Sequence, residues 1–374
     1  MNPAFPKAVD RPAPRLFSVV TVVGMLSATV HAEWSVINLN PVGATGSEAC
    51  AADGDQQVGC AWLGDVAHAS LWTGSAESWV DLNPIGADGS LILDTRGGRQ
   101  VGFARTAGIH HAGLWAGSVE SWTDLHPAIA TYSEAYGVYG DQQAGTATLS
   151  DSEHASLWAG SAESWVDLNP TGSAWSRAMA VYENQQVGSA TVGSVSHASL
   201  WTGSAASWID LSPAGATWSE ARGVFGAEQV GRATVNGVSG AGLWTGSAES
   251  WVSLHPAGAT SSCANDAYDG QEVGWATMAG GYRAGLWTGS AASWVDLHAI
   301  VPSEFSDSLA NGVWSDGIRT VVAGWGYNAT AERWEALMWV TPEPASVTML
   351  AVVLLAFWAH FHRTRRPKSI CRCR

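Results

Sequence analysis

Four histidines, His68, His111, His154 and His197, stand 43 residues apart in a chain of 374. Imidazoles at a fixed step could ring a metal ion or supply bases. The ring breaks, however, because the matching positions further on are Gly240, Arg283 and Glu335. Residues one repeat apart also lie too far from each other to share an ion at the roughly 2 Å that zinc requires. These histidines therefore read as structural, each hydrogen-bonded to a neighbouring strand or turn. Asp81, Asp124, Asp167, Asp210 and Asp296 keep the same step and give way to Asn38 and Ser253, which points to side-chain capping of a turn. Glu48, Glu134 and Glu220 share a third register. Carboxylates drawn from distant repeats could form the pair that cleaves a glycosidic bond. Their repetition favours a structural role, since catalysis breaks symmetry and folding repeats it. A fourth register reads Gly46, Gly89, Tyr132, Trp175, Trp218 and Ser261. Tyr132, Trp175 and Trp218 could stack on sugar rings as a ligand platform, or fill gaps between repeats as most aromatic side chains do.

No local motif turns these candidates into a known constellation. The sequence has no Gly-x-Ser-x-Gly elbow, His-Glu-x-x-His, phosphate-binding glycine loop or EF-hand loop. The expectation is a protein without catalytic residues, metal site or cofactor.

What positions these residues is a repeat. The segment Ser-Trp-Val-Asp-Leu-Asn-Pro places tryptophans at Trp79, Trp122, Trp165, Trp208, Trp251 and Trp294, and Leu-Trp places others at Trp72, Trp115, Trp158, Trp201, Trp244 and Trp287. A glycine follows the step at Gly59, Gly102, Gly145, Gly188, Gly231 and Gly274. A period in the low forties belongs to a few solenoids and propellers. One period divides into four strand-sized segments, Ser164 to Leu168, Trp175 to Val181, Gln185 to Thr191 and His197 to Trp201, each closed by turn residues. In the first, alternation puts Val166 and Leu168 on one face and Trp165 and Asp167 on the other. With 42 glycines and no helical stripe, helical repeats are excluded. Four antiparallel strands per repeat make a β-propeller blade.

The two ends complete each other. Trp34 opens a Ser-Trp-type strand with no Leu-Trp strand before it, and Ala336 to Trp339 is a Leu-Trp-type strand with nothing after it. Pairing them makes a seventh blade and removes an exposed sheet edge. The fold class is therefore all-β, a seven-bladed propeller over residues 33–341 closed by its N- and C-terminal strands. The repeated tryptophans are wedges between blades. With the Ser-Trp strand outermost, the second segment lines the channel. One rim carries the nearly constant Thr-Gly-Ser-Ala-Glu-Ser turns, and the other carries loops that vary from blade to blade, where function usually concentrates.

Outside the propeller lie two targeting segments. Residues 1–32 have a basic start, an apolar run and Val30-His31-Ala32, so cleavage by a signal peptidase is expected between Ala32 and Glu33. Residues 342–374 open with Pro342-Glu343-Pro344, continue with an apolar stretch over 345–361 that is just long enough to span a bilayer, and end in Arg363, Arg365, Arg366, Lys368, Arg372 and Arg374. The triplet, apolar stretch and arginine cluster resemble a PEP-CTERM sorting signal. That resemblance implies processing by an exosortase-like enzyme and a surface or exopolysaccharide-associated destination. The repeats, with Gln-Val-Gly-x-Ala, His-Ala-x-Leu-Trp and Asp-Leu, resemble HAF-type extracellular repeats, a family that implies no particular activity.

Between these segments stand nine arginines and no lysine against 31 acids, a net charge of about −22. Such a surface repels phosphate, so nucleic acid is excluded as a partner. Cys50 and Cys60 flank Asp53-Gly54-Asp55 and would face each other across a hairpin, which makes a disulfide between them an expectation in an oxidising compartment. Together these readings predict an exported, membrane-tethered or surface-released propeller that binds or organises exopolysaccharide or matrix proteins without chemistry. The rival readings are a lectin built on Tyr132, Trp175 and Trp218, and a polysaccharide-degrading enzyme.

Overall fold

The computed structural model describes residues 34–341. Seven four-stranded antiparallel sheets follow one another along the chain. In the fourth, the strands are Ser176–Tyr182, Gln185–Val192, Val195–Trp201 and Ile209–Asp210, in that spatial order. The first of each set lines the channel and the last is outermost. In the seventh blade the inner strands are Phe305–Ser315, Thr320–Asn328 and Arg333–Val340, and the outer strand comes from the other end of the chain. That strand, Ser35–Asn38, pairs antiparallel with Arg333–Val340, Ser35 opposite Val340 and Asn38 opposite Leu337. The seven-bladed propeller and its closure are as the repeat register predicts.

The outer strand is shorter than the alternation suggests. Only Val166–Asp167 pairs, after a 3-10 turn at Ala162–Ser164. Val166 is exposed on this edge, whereas Leu168, just beyond it, is fully buried and donates its amide to the Ala155 carbonyl at 2.8 Å. The constant turn is held by its serines: Ser164 Oγ accepts from the Ala159 amide at 2.7 Å and donates to the Ser161 carbonyl at 2.6 Å. Gly160 takes φ +82°, a region closed to most side chains, and its amide donates to Gln143 Oε1 at 2.8 Å.

Two further marks of the repeat have physical causes. The Leu-Trp tryptophans from Trp72 to Trp287, and Trp339 in the last blade, are all essentially fully buried. They pack between blades. Trp115, for example, joins Val58, Leu71 and Leu82 of the preceding blade and donates its indole N–H to the Leu82 carbonyl at 3.0 Å. The invariant glycine faces a β-bulge on the inner strand. A Cβ on Gly145 would lie 2.0 Å from the Glu134 carbonyl oxygen, and one on Gly59 would lie 1.9 Å from that of Glu48. Only glycine allows the inner strand to bend that closely.

A buried serine locks each blade to the one before it. Ser90, Ser133, Ser176, Ser219, Ser262 and Ser308 accept from the amides of Ala69, Ala112, Ala155, Ala198, Ala241 and Ala284, at 2.8 to 3.1 Å. Ser47 accepts from Ala336 at 2.9 Å and closes the circle. Each such bond contributes about 1 kcal/mol and leaves no orphan amide at the seam.

Candidate functional site

The histidines are structural. His68, His111, His154 and His197 each set Nδ1 against the paired aspartate, Asp81, Asp124, Asp167 or Asp210, at 2.7 to 2.9 Å. The other oxygen of each aspartate accepts the amide two residues on, as Asp81 does from Asn83 at 2.8 Å. Where histidine is lost the partner changes with it. Arg283 pairs with Asp296 at 3.2 Å, Glu335 accepts from Asn38 at 2.6 Å, and Gly240 shares its blade with Ser253.

The three glutamates differ sharply, although their inner-strand register is the same. Glu134 accepts from Tyr136 at 2.6 Å, from the Tyr132 hydroxyl, and from His110 at 2.8 Å. Glu220 holds both Arg222 at 2.6 Å and Arg232 at 3.0 Å. Glu48 has neither a hydrogen bond nor an ion pair on its carboxylate among the described residues. Burial pushes its pKa above the usual carboxylate range.

Glu48 also lies where the variable rim is open. The strand position that holds Tyr132, Trp175 and Trp218 in the third to fifth blades is Gly46 and Gly89 in the first two. Between blades one and two, Gly89 and Ala67 leave a cavity of about 310 Å³, lined also by Glu48, Trp62, Asp65 and Phe103. Between blades seven and one, Gly46 leaves another, about 410 Å³, bounded by Trp62, Trp334, Arg333 and again Glu48 and Asp65. The channel supplies a third, about 280 Å³, where Glu48 meets Asp94, Asp266, Tyr136 and Arg222. One carboxylate thus borders three cavities. Asp94 and Asp266 are engaged by backbone. Asp94 accepts from Thr95 and Val138, both at 2.8 Å, and Asp266 from Ala267 and Val313 at 2.8 and 3.0 Å. Burial raises both, Asp94 to about 7.

Tyr132, Trp175 and Trp218 stand on successive blades at this rim, but two of the rings are occupied. Tyr132 stacks on His110 at 4.8 Å, and Arg232 sits 4.8 Å over Trp218. Trp175 is half-buried, with no aromatic or cationic partner among the described residues.

Cys50 and Cys60 do not form the expected disulfide. Both are free thiols, Cys60 buried. The hairpin does form, but Cys50 is the extra residue of its bulge, so Glu48 and not Cys50 stands opposite Cys60. The sorting residues Pro342, Glu343, Pro344, Arg363, Arg365 and Arg366, the apolar stretch 345–361, and the cleavage pair Ala32 and Glu33 lie outside the described residues. No helix among the described residues is long and apolar enough to cross a membrane.

No family model matches the chain. No curated protein matches it either. Solved structures do. Puromycin hydrolase is similar over 80% of this chain at 13% identity and a TM-score of 0.48, and 55% of that protein is covered. The β-propeller domain of the Trilobed protease from Pyrococcus furiosus, described as having an open velcro topology, is similar over 79% of this chain and 94% of that one, at 8% identity and a TM-score of 0.50. Acylaminoacyl peptidase from Pyrococcus horikoshii is similar over 78% at 8% identity, with a TM-score of 0.46 and 53% of its own length covered. The chain thus spans about half the length of the two full enzymes. At these identities the likeness shows the propeller fold, and no substrate carries over with it. It does correct the expectation of a protein without chemistry. Solved structures with this fold include ones named as a hydrolase and as peptidases and one named as TolB, so the fold gives no ground for calling the chain a non-enzyme.

Proposed function

We propose that the chain is an exported hydrolase of extracellular polymer and that its active site is the open sector of the variable rim, with Glu48 as general acid. The observation that carries this is the lone carboxylate. Of three glutamates in one register, Glu134 and Glu220 are satisfied by neighbours, and Glu48 is left unpaired, half-buried and facing three cavities. A carboxyl whose pKa is raised by burial is suited to give its proton to a leaving group. Asp65 is exposed and lines two of the same cavities, where its carboxylate would draw a proton from the attacking water. Trp62 and Trp334 line these cavities with apolar rings that suit sugar faces, which favours a polysaccharide substrate, and Trp175 would extend that surface across the rim.

The signal peptide and PEP-CTERM-like tail support delivery of this activity to the cell surface, with an exosortase-like enzyme as processing partner. Mass spectrometry of the mature chain checks this half of the proposal, with an N-terminus at Glu33 and loss of the tail near Pro342 as the expected result.

The site is tested with the producing organism's exopolysaccharide. Wild type is expected to release reducing ends, and Glu48→Gln to fall at least about 100-fold while still binding, as loss of a general acid requires. Release of amines from a peptide library in place of reducing ends would assign the same carboxyl to a peptide bond. Absence of turnover by folded wild type on both substrates would overturn the proposal.

A further inference from the structure

The opposite end of the channel carries a second ring of side chains. Six inner strands end at Asp53, Arg96, Tyr139, Tyr182, Phe225 and Tyr268, and Trp314, one residue before the end of the seventh, takes the same place. The five aromatic rings contact each other in sequence. Centroids lie 4.6 Å apart for Tyr139 and Tyr182, 4.8 Å for Tyr182 and Phe225, 4.5 Å for Phe225 and Tyr268, and 6.4 Å for Tyr268 and Trp314. All five are half-buried.

Arg96 reaches across this mouth from the second blade to the fifth and sixth. Its guanidinium carbon lies 4.8 Å from the Tyr268 ring and 5.7 Å from Phe225. Its one ion pair, with Asp53, is long at 3.5 Å, and its N–H groups make no hydrogen bond among the described residues. Arg177, Arg222 and Arg333, by contrast, are all tightly bonded to carboxylates. Arg96 is thus placed by aromatic faces and by field, with its donors unmet. Asp53, Asp94 and Asp266 make that field negative.

We propose that this mouth is an aromatic cation cage for a guanidinium or quaternary ammonium group, closed in this structure by the chain's own Arg96. The faces of tyrosine and phenylalanine attract a weakly hydrated cation, and Arg96 is such a cation already in place, while Arg319 lies 5.6 Å over Trp314 at the end of the row. A ligand cation enters when Arg96 swings out toward solvent, and Asp53 then meets its N–H groups. The inference concerns the rim opposite Glu48 and stands whether or not that site is catalytic.

The test uses the full chain carrying Arg96→Ala, titrated with millimolar methylguanidinium or tetramethylammonium at fixed ionic strength. The variant is expected to melt several degrees below wild type. Either cation should recover half or more of that loss with saturable quenching of tryptophan emission, and sodium chloride should not. Adding Tyr268→Leu should abolish the recovery. If Arg96→Ala does not fold, Arg96→Gln, which keeps most of the stem, takes the same titration. Equal recovery with sodium chloride, or none with either cation in a folded variant, would overturn the cage.

Discussion

A carboxylate's chemistry here is decided by which neighbours it finds, not by its place in the repeat. Glu48, Glu134 and Glu220 are equivalent in sequence, yet only Glu48 has no donor. The sequence could show their shared register, with Tyr136 and Arg222 two residues on in the same strands, and could not show that His110 and Arg232 reach the other two from neighbouring strands. If Glu48 gives up a proton during turnover, kcat should fall as pH rises past its elevated pKa. Glu48→Asp should retain a reduced rate with the same downward limb, and a flat profile would remove it as the acid. A second expected outcome concerns the repeated glycine. Gly145→Ala would drive a methyl into the Glu134 carbonyl, which cannot yield without straightening the bulge. The expected destabilisation exceeds about 3 kcal/mol by denaturant unfolding, the range of backbone-strain substitutions.

Among the elements, the second strand shows what one altered residue does to a repeated contact. Its first two residues are mostly glutamines that bridge blades, as Gln186 does to Gln142 and Gln229 to Gln185, both at 3.1 Å. At the next seam the pair is Glu228 and Glu272. Glu272 is fully buried, accepts the Gly289 amide at 2.9 Å, and has its pKa raised to about 8 by burial and by the neighbouring Glu228 carboxylate. Its folded pKa thus lies above the unfolded value near 4.5. Its stabilising share is complete below about pH 4.5 and is lost as pH climbs through about 8. Thermal melts of wild type should drop across that window, and Glu272→Gln should flatten the drop and be the more stable protein at pH 9. At this scale strand order, inner and outer faces and blade count were legible from three markers in one register. The short outer strand was not. Alternation in Trp165 to Leu168 mimics a full strand, but Ser161 and Ser164 spend the preceding residues on a turn, and Val166 is left on the edge. Nor could the spacing of Cys50 and Cys60 show that they do not pair, since one bulged residue changes which side chain faces Cys60.

For the whole molecule, closure is the feature on which the other six seams depend. A chain beginning at residue 41 loses the strand Ser35–Asn38 together with buried Leu39, and exposes the edge of Arg333–Val340. Such a chain should melt lower and self-associate through that edge, seen as dimers or larger species in light scattering, whereas intact protein stays monodisperse. The aromatic mouth and the Glu48 sector rest on opposite rims of one channel, so ring closure holds both in shape. Closure also sets a clock. Ser35 and Val340 are partners 305 residues apart, so a chain made N-terminus first carries its fastening strand bare until the seventh blade is complete. Joining ends that distant is slow because the search must finish before any contact rewards it. Until the strand Arg333–Val340 has been made, this protein is a half-open bracelet, and fastening it should be the last and slowest step of its folding.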